Sequence, residues 1–258
     1  MLLNKDKETC IFINSCDKTH DVAKYFLKSF EKYIKNNQLD IFIGINKKKH
    51  NKNYKYLNYI FTPKSNWQNE TLFQLNVIQK KYGYKNVIHI LDDFIFSDYT
   101  NISDLQPILS FFKSNKIKYC CLKNMRECGI INTFNKFKKK KINIVRHSYP
   151  YYTSLQITLW DIKYFIKNIK TCKSIWNFER QQLSKNHYHL KKDLFHYRHV
   201  VEKGEWDYGS PSYINRYVCK FSPGKRLFRK SFLGIHLFYI KKISFFIFGF
   251  LLMRIRNN

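Results

Sequence analysis

Val87-Ile88-His89-Ile90-Leu91-Asp92-Asp93-Phe94 is a mostly aliphatic run that ends abruptly on two adjacent carboxylates. Five such residues without helical periodicity predict a buried strand. The chain upstream repeats the form. Cys10-Ile11-Phe12-Ile13-Asn14 closes on the polar group Asn14, Ser15, Cys16 and Asp17, Ile41-Phe42-Ile43-Gly44-Ile45 is a second run, and Tyr59-Ile60-Phe61 is a third, stopped by Pro63. Between them Val22, Ala23, Phe26, Leu27, Phe30, Tyr33 and Ile34 recur at i, i+3, i+4 spacing, which predicts one helix. Leu72, Leu75, Val77 and Ile78 predict another over residues 71–81. Strands alternating with helices predict an α/β fold with a mostly parallel sheet covered on both faces.

From about residue 115 the pattern changes. Residues 117–122, 129–134 and 142–145 read as short strands without helices between them, punctuated by the lysine run 138–141. Helices are expected over 159–169 and 175–183, and a last strand over 195–201 before the turn at Gly204. A parallel first half and an antiparallel second half suit a nucleotide-binding sheet followed by an acceptor-binding region.

The 258 residues fit one large domain, or one domain with a small appendage. Aromatics at 18% exclude a disordered chain, and 8 Gly with 5 Pro exclude collagen-like and linker sequences. The net charge is +29, carried by 38 Lys and only 9 Arg. Arg is the residue that reads base edges and clamps phosphates bidentately. The lysine excess comes with an excess of Asn, Ile, Phe and Tyr, a pattern that A+T-rich codons produce on a solvated surface. The field that remains attracts lipid headgroups, sugar phosphates and nucleic acid alike, so charge does not choose among them. Seven cysteines make an odd count without CxxC spacing, which points to neither a disulfide framework nor a zinc site. The first ten residues lack an apolar signal region, and a cytoplasmic location with reduced thiols is expected.

The end of the chain differs from the rest. Residues 232–240 and 243–253 are strongly apolar, split by Lys241 and Lys242 and flanked by Lys225, Arg226, Arg229, Lys230, Arg254 and Arg256. A spanning helix needs about 20 apolar residues, and one drawn through both pieces would bury two lysines at mid-depth. An interfacial helix costs less, and a buried pair of core helices is the other alternative to a span. The expected division is a domain over 1–222 and a basic, apolar, membrane-associating tail over 223–258.

Two clusters could carry chemistry. At the C-terminal end of a buried strand, Asp92 and Asp93 stand where open α/β sheets bind ligands. A hard cation such as Mg²⁺ or Mn²⁺ resolves their repulsion while gripping phosphates, whereas the bland alternative makes them turn formers. The second cluster is Tyr151-Tyr152-Thr153-Ser154-Leu155-Gln156 together with Trp176-Asn177-Phe178-Glu179. Aromatic platforms suit sugar rings, and a carboxylate among them gains basicity from desolvation. The alternative makes Trp160, Trp176 and Phe178 core residues and Glu179 an exposed helix residue.

Five segments in order, Asn14-Ser15-Cys16-Asp17, Leu91-Asp92-Asp93-Phe94, Tyr152 with Ser154-Leu155-Gln156, Trp176-Asn177-Phe178-Glu179 and Lys203-Gly204-Glu205-Trp206, resemble bacterial glycosyltransferases of capsule and O-antigen biosynthesis with the GT-A fold. The resemblance spans about residues 10–208. It implies that Asp92 and Asp93 bind a divalent cation, Mn²⁺ or Mg²⁺, and the nucleotide-sugar, although the pair here is adjacent where the family's is split. Asn14, Ser15 and Asp17 would hold the nucleoside. Tyr152, Ser154, Gln156 and Trp176 would face a glycan or lipid-linked saccharide acceptor, and Glu179 would activate it, with Asp161 and Asp98 as alternative bases. His196 and His199 are candidates for a further metal ligand, or plain strand histidines. The implied setting is the inner face of the plasma membrane, reached through the tail. A nucleic-acid binder or metal-dependent nuclease is the competing class. No nucleic-acid motif supports it, and the 18 acidic residues are few for a nuclease.

Overall fold

A computed structural model of the chain describes residues 8–47, 54–124, 144–146, 153–172, 174–180, 187–190 and 192–229. The chain begins with β1 (Thr9–Asn14), a 3-10 turn at Asp17–Thr19, α1 (His20–Tyr33) and the two-residue β2 (Ile34–Lys35). Next come β3 (Ile41–Ile45), β4 (Leu57–Phe61), α2 (Trp67–Tyr82), β5 (Asn86–Leu91), β6 (Phe94–Phe96) and β7 (Thr100–Asn101). The second half holds α3 (Gln106–Ser114), β8 (Tyr119–Asn124), β9 (Ile144–Arg146), β10 (Thr158–Asp161), α4 (Ile162–Lys170), α5 (Ile175–Arg180) and β11 (His187–Leu190). Then β12 (Tyr197–His199), the hairpin β13 (Val201–Glu202) and β14 (Glu205–Trp206), and α6 (Ser210–Tyr217) complete the described elements.

Eight strands form one sheet in the order β4-β3-β1-β5-β10-β8-β11-β9. The first four are parallel, β10 runs against both β5 and β8, β11 runs with β8, and β9 runs against β11. Side-chain alternation divides the core into two layers. Ile11 and Ile13 point to the face covered by α1 and α3, where Phe26, Phe30 and Phe112 are buried. Cys10 and Phe12 point to the opposite face under α2 and α4, among Leu75, Ile78, Phe165 and Trp160. Each fully buried Ile or Phe contributes about 1.5–3 kcal/mol. A mixed Rossmann-like sheet with helices on both faces is the GT-A-like architecture the sequence implies.

Local signals explain the boundaries. Asn66 caps α2 by accepting the Asn69 N–H at 2.9 Å, and Gly83 ends the helix in the left-handed region at φ 78°. A side chain at Gly44 would collide with Gln74, so the glycine lets α2 settle on β3. The helix expected over 159–169 begins only at Ile162. Thr158, Leu159 and Trp160 instead form the antiparallel strand between β5 and β8, and Asp161 caps α4 through the Tyr164 N–H at 2.8 Å. The last strand, expected over 195–201, is divided between β12 and β13. Residues 129–134, the lysine run 138–141, Tyr152 and residues 230–258 of the tail lie outside the described residues. The first part of that tail is bound to the domain: the Trp206 N–H donates to the Leu227 carbonyl, the Arg229 N–H donates to the Trp206 carbonyl, and just ahead of it Tyr25 OH bonds Ser222.

His89 on β5 is fully buried between Phe12 and Phe165, and neither ring nitrogen has a hydrogen-bond partner. Burial lowers its pKa from 6.5 to about 3. Between those values the unfolded chain takes up a proton that the folded chain refuses, so acidification favours unfolding by up to about 1.4 kcal/mol per pH unit from this group. His89→Leu is expected to unfold at higher urea than the wild type, with a gain that grows as pH falls from 6.5. A gain independent of pH, measured by urea midpoints, would contradict this account of His89.

Candidate active site

Because β1, β3 and β5 are parallel and in register, with Ile13 opposite both Ile43 and Ile90, their C-terminal ends open on one edge. That edge is where ligands bind in such sheets. A cavity of about 460 Å³ lies there, walled by residues 14–19, Asn46, residues 64–67, Glu70 and Gln74 of α2, Asp92, Asp93 and Ile175. Its size suits a nucleotide-sized ligand. Asn46 organises one wall: its Oδ1 accepts the Asp17 N–H at 3.1 Å, while Nδ2 donates to the Thr62 carbonyl and to Glu70 Oε1 at 3.2 and 3.1 Å. Asp17 in turn accepts the Lys47 N–H at 3.1 Å, and Asn14 donates to Thr71 Oγ1 at 2.9 Å.

The two aspartates occupy different environments. Asp92 is only 4% exposed, and its Oδ2 lies 2.5 Å from both the Ser15 and Thr19 hydroxyls. Burial, followed by the charge of Asp93, pushes its carboxyl up to about 8 against the pull of those hydroxyls and of Arg226. The Thr19 hydroxyl is also 3.1 Å from the Cys16 carbonyl. Its one proton is therefore shared between that carbonyl and Asp92. Asp93 faces the other way. Its Oδ2 pairs with His199 Nε2 at 2.7 Å, and its buried Oδ1 has no hydrogen-bond partner. Burial opposes charge on His199, but the Asp93 hydrogen bond and the carboxylates of Asp93, Glu202 and Asp207 together raise its pKa. The β6–β12 pairing sets this contact, with His199 opposite Phe94 and the Val200 N–H on the Asp93 carbonyl at 3.1 Å.

The residues expected on the acceptor side divide. Glu179 is partly buried and accepts the Leu155 N–H at 2.9 Å. Burial raises its pKa, opposed by that N–H and by the charge of His199, which puts Glu179 within electrostatic reach of the Asp93–His199 pair. Gln156 Oε1 accepts the Tyr197 hydroxyl at 2.5 Å, and Tyr197 stacks against Phe94, the residue after the aspartates. Ser154 is buried against Tyr119, with its N–H 2.9 Å from the phenol. Trp176 is 55% exposed, whereas Trp160 and Phe178 are core. His196 is exposed, and among the described residues its carbonyl is engaged by Ser97. Asp161 lies opposite Asn86, six residues and thus ~20 Å along β5 from Asp92, where it caps α4 and pairs with Lys118 at 2.8 Å. Asp98 is exposed and bonds the Tyr99 N–H.

Among solved structures the chain is similar to S. aureus TarS 1-349, with a TM-score of 0.44 and 10% identity over 73% of this chain and 59% of that one. It is similar to A197 from STIV, with a TM-score of 0.40 and 10% identity over 87% and 98%. It is also similar to a cytidylyltransferase from Leptospira borgpetersenii serovar Hardjo-bovis, with a TM-score of 0.37 and 13% identity over 68% of each chain. The chain thus spans about three fifths of the length of TarS 1-349. No protein-family model and no curated protein matches it. Likenesses this faint carry no argument about chemistry. The fold rests on the strand order, and the site on its own geometry.

Several cavity residues were not legible as site residues in the sequence: Thr19, Asn46, Trp67, Glu70 and Gln74. The one local signal was Asn66 ahead of an apolar helical pattern, an N-cap residue type at a helix start. Among the described residues no three His, Cys, Asp or Glu side chains form a metal cage. The donor set nevertheless fits a hard cation, because the unpartnered, buried Asp93 Oδ1 is an oxygen that such an ion takes, beside the imidazole of His199.

The state of Asp92 has a measurable consequence. Between its usual 3.8 and about 8 the folded chain keeps a proton that the unfolded chain has released, so raising pH through that window costs stability. In metal-free buffer, Asp92→Asn is expected to unfold at higher urea than the wild type, with a gain that grows from pH 4 to pH 8. An equal gain at both ends of that range would show that Asp92 is ionised in the fold.

Proposed function

We propose that this chain is a glycosyltransferase that moves a sugar from a nucleotide-sugar to a hydroxyl of a glycan or lipid-linked saccharide in surface-polysaccharide biosynthesis. One observation carries the reading: a nucleotide-sized cavity at the ends of β1, β3 and β5 opens beside the Asp93–His199 pair, with Glu179 in electrostatic reach.

Asn14, Ser15 and Asp17 line the nucleoside end, and Lys18 and Lys64 bring positive charge to a diphosphate. Asp93, through its unpartnered Oδ1, would hold a divalent cation, Mn²⁺ or Mg²⁺, with His199 joining it only by giving up its proton, and the cation when bound would offset the charge of the leaving diphosphate. Asp92, tied to the β1 loop through Ser15 and Thr19, lines the same cavity beside Asp93 and would be the second carboxylate at the donor edge. Glu179, its pKa raised by burial, takes the proton of the acceptor hydroxyl as that oxygen bonds the sugar C1 and the C1–phosphate bond breaks. Gln156, fixed by Tyr197, and Ser154 support the acceptor side, and exposed Trp176 offers a sugar-stacking face. Among the described residues no helix is long and apolar enough to cross a membrane. Within the tail over 223–258, Arg226 and Arg229 are paired to the domain, so the basic and apolar residues after them would hold the enzyme on an anionic membrane surface near a lipid-linked acceptor.

Thermal unfolding with a panel of ligands tests the reading. UDP, GDP or CMP with Mn²⁺ is expected to raise the melting temperature, by mass action on the folded state. EDTA should diminish the rise, and single-stranded DNA should give none. Stabilisation by DNA with no response to any nucleotide would transfer the protein to the nucleic-acid-binding class.

A further inference from the structure

The cavity wall at Asp17–Thr19 is held from behind by a side chain that does not itself line the cavity. Arg226 comes from the segment after α6 and is 11% exposed. Its Nε and Nη2 reach Asp21 Oδ2 and Oδ1 at 2.9 and 2.7 Å, in the bidentate geometry that a guanidinium makes with a carboxylate. Nη2 also donates to the Lys18 carbonyl at 2.7 Å, and Nη1 to the Gly204 carbonyl at 2.7 Å. One planar fork therefore joins the β1–α1 turn, the first turn of α1 and the β13–β14 hairpin.

Both ends of that clamp lead to the site. Lys18 precedes Thr19, whose hydroxyl is on Asp92. Gly204, with Lys203, forms the two-residue hairpin turn at φ 84° and 52°, and the hairpin begins two residues after His199. The segment is itself anchored: the Trp206 indole donates to the Pro223 carbonyl at 3.1 Å, Arg229 pairs with Glu202, and the Arg226 guanidinium lies 5.8 Å from the Trp206 ring.

We propose that Arg226 is a positioning residue for donor binding: it fixes the Asp17–Thr19 turn against the hairpin that follows His199, so that the nucleotide cavity and the Asp93–His199 pair are formed before the ligand arrives. The inference rests on the proposed donor site. Because Arg226 touches neither cavity nor acceptor side, its loss weakens donor binding and leaves the transfer step unchanged once donor is saturating. A lysine cannot replace it, since a single ammonium lacks the fork that reaches these acceptors together.

The test uses full-length Arg226→Ala and Arg226→Lys, with nucleoside diphosphate affinity in Mn²⁺ and the KM and kcat of nucleotide-sugar hydrolysis as readouts. Both variants are expected to raise the nucleotide Kd and donor KM about tenfold or more with kcat nearly unchanged, the scale of one or two charge-assisted hydrogen bonds. Free guanidinium at non-denaturing concentration should restore affinity to Arg226→Ala, a rescue that general destabilisation would not allow. Should Arg226→Ala fail to fold, Asp21→Asn gives the weaker form of the same test, with a smaller rise in Kd in the same direction. Wild-type affinity in the variants, or a fall in kcat with KM unchanged, overturns the role of Arg226 alone. A wild type that binds no nucleotide overturns the donor site and this inference with it.

Discussion

Two carboxylates at the dry end of a buried strand cannot both stay charged without help, and the site is arranged around that constraint. Asp92 is turned inward under the Ser15 and Thr19 hydroxyls, where burial favours its neutral form. Asp93 is turned outward to His199 and keeps one oxygen free. The β1 loop must bend over the strand end to supply those hydroxyls, and the chain after Asp93 must fold back through β6 to meet β12. Loop, hairpin and helix start are thereby tied to one dipeptide. The adjacency that separates this pair from a split motif thus acquires a physical meaning: Asp92 and Asp93 form the turn between β5 and β6, and there one carboxylate goes to the β1 loop and the other to His199.

Such an arrangement costs stability. An unpartnered imidazole at His89 on β5 and a desolvated carboxyl at Asp92, in the turn just after that strand, sit three residues apart, and each makes the fold sensitive to pH in its own window. His89 faces the α2 and α4 layer, far from the ligand edge, and the structure gives it no chemical task. Asp92 has one: it anchors the turn that carries the nucleoside wall. Strain of this kind at a site, offset by well-packed layers elsewhere, is the usual exchange of stability for function. Here the offset comes from the aromatic core, where Trp160 stacks on Phe165 at 4.4 Å and 8°.

Period and punctuation made the first half of the fold readable. The runs at β1 and β3 have no polar interruption and that at β5 only His89, because a parallel strand is buried on both faces, and their polar terminators mark the ligand edge directly. Thr158-Leu159-Trp160 was less readable, since a short apolar run followed by an amphipathic helix has no boundary in periodicity; only the cap at Asp161 divides them. The helices α3 and α6 are short and left no clear signal. Within the site, Asp92 and Asp93 could be named because they stand at the end of a patterned strand, whereas Ser15 and Glu179 were named through the resemblance of their segments. Asn46, Glu70, Gln74 and Arg226 could not, because tertiary folding alone brings them to the cavity or behind it. The same holds for the different fates of His196 and His199, which depend on the β6–β12 register.

The account stands on Glu179 acting on an acceptor while the Asp93 edge holds the donor. The direct measurement is Glu179→Gln, with nucleotide-sugar dissociation constant and transfer rate taken on the same preparation. A general base contributes about 10²–10⁴-fold, so the rate at saturating donor should fall by that factor with the dissociation constant unchanged. Loss of donor affinity with an undiminished saturated rate would place Glu179 in the donor site and contradict the account.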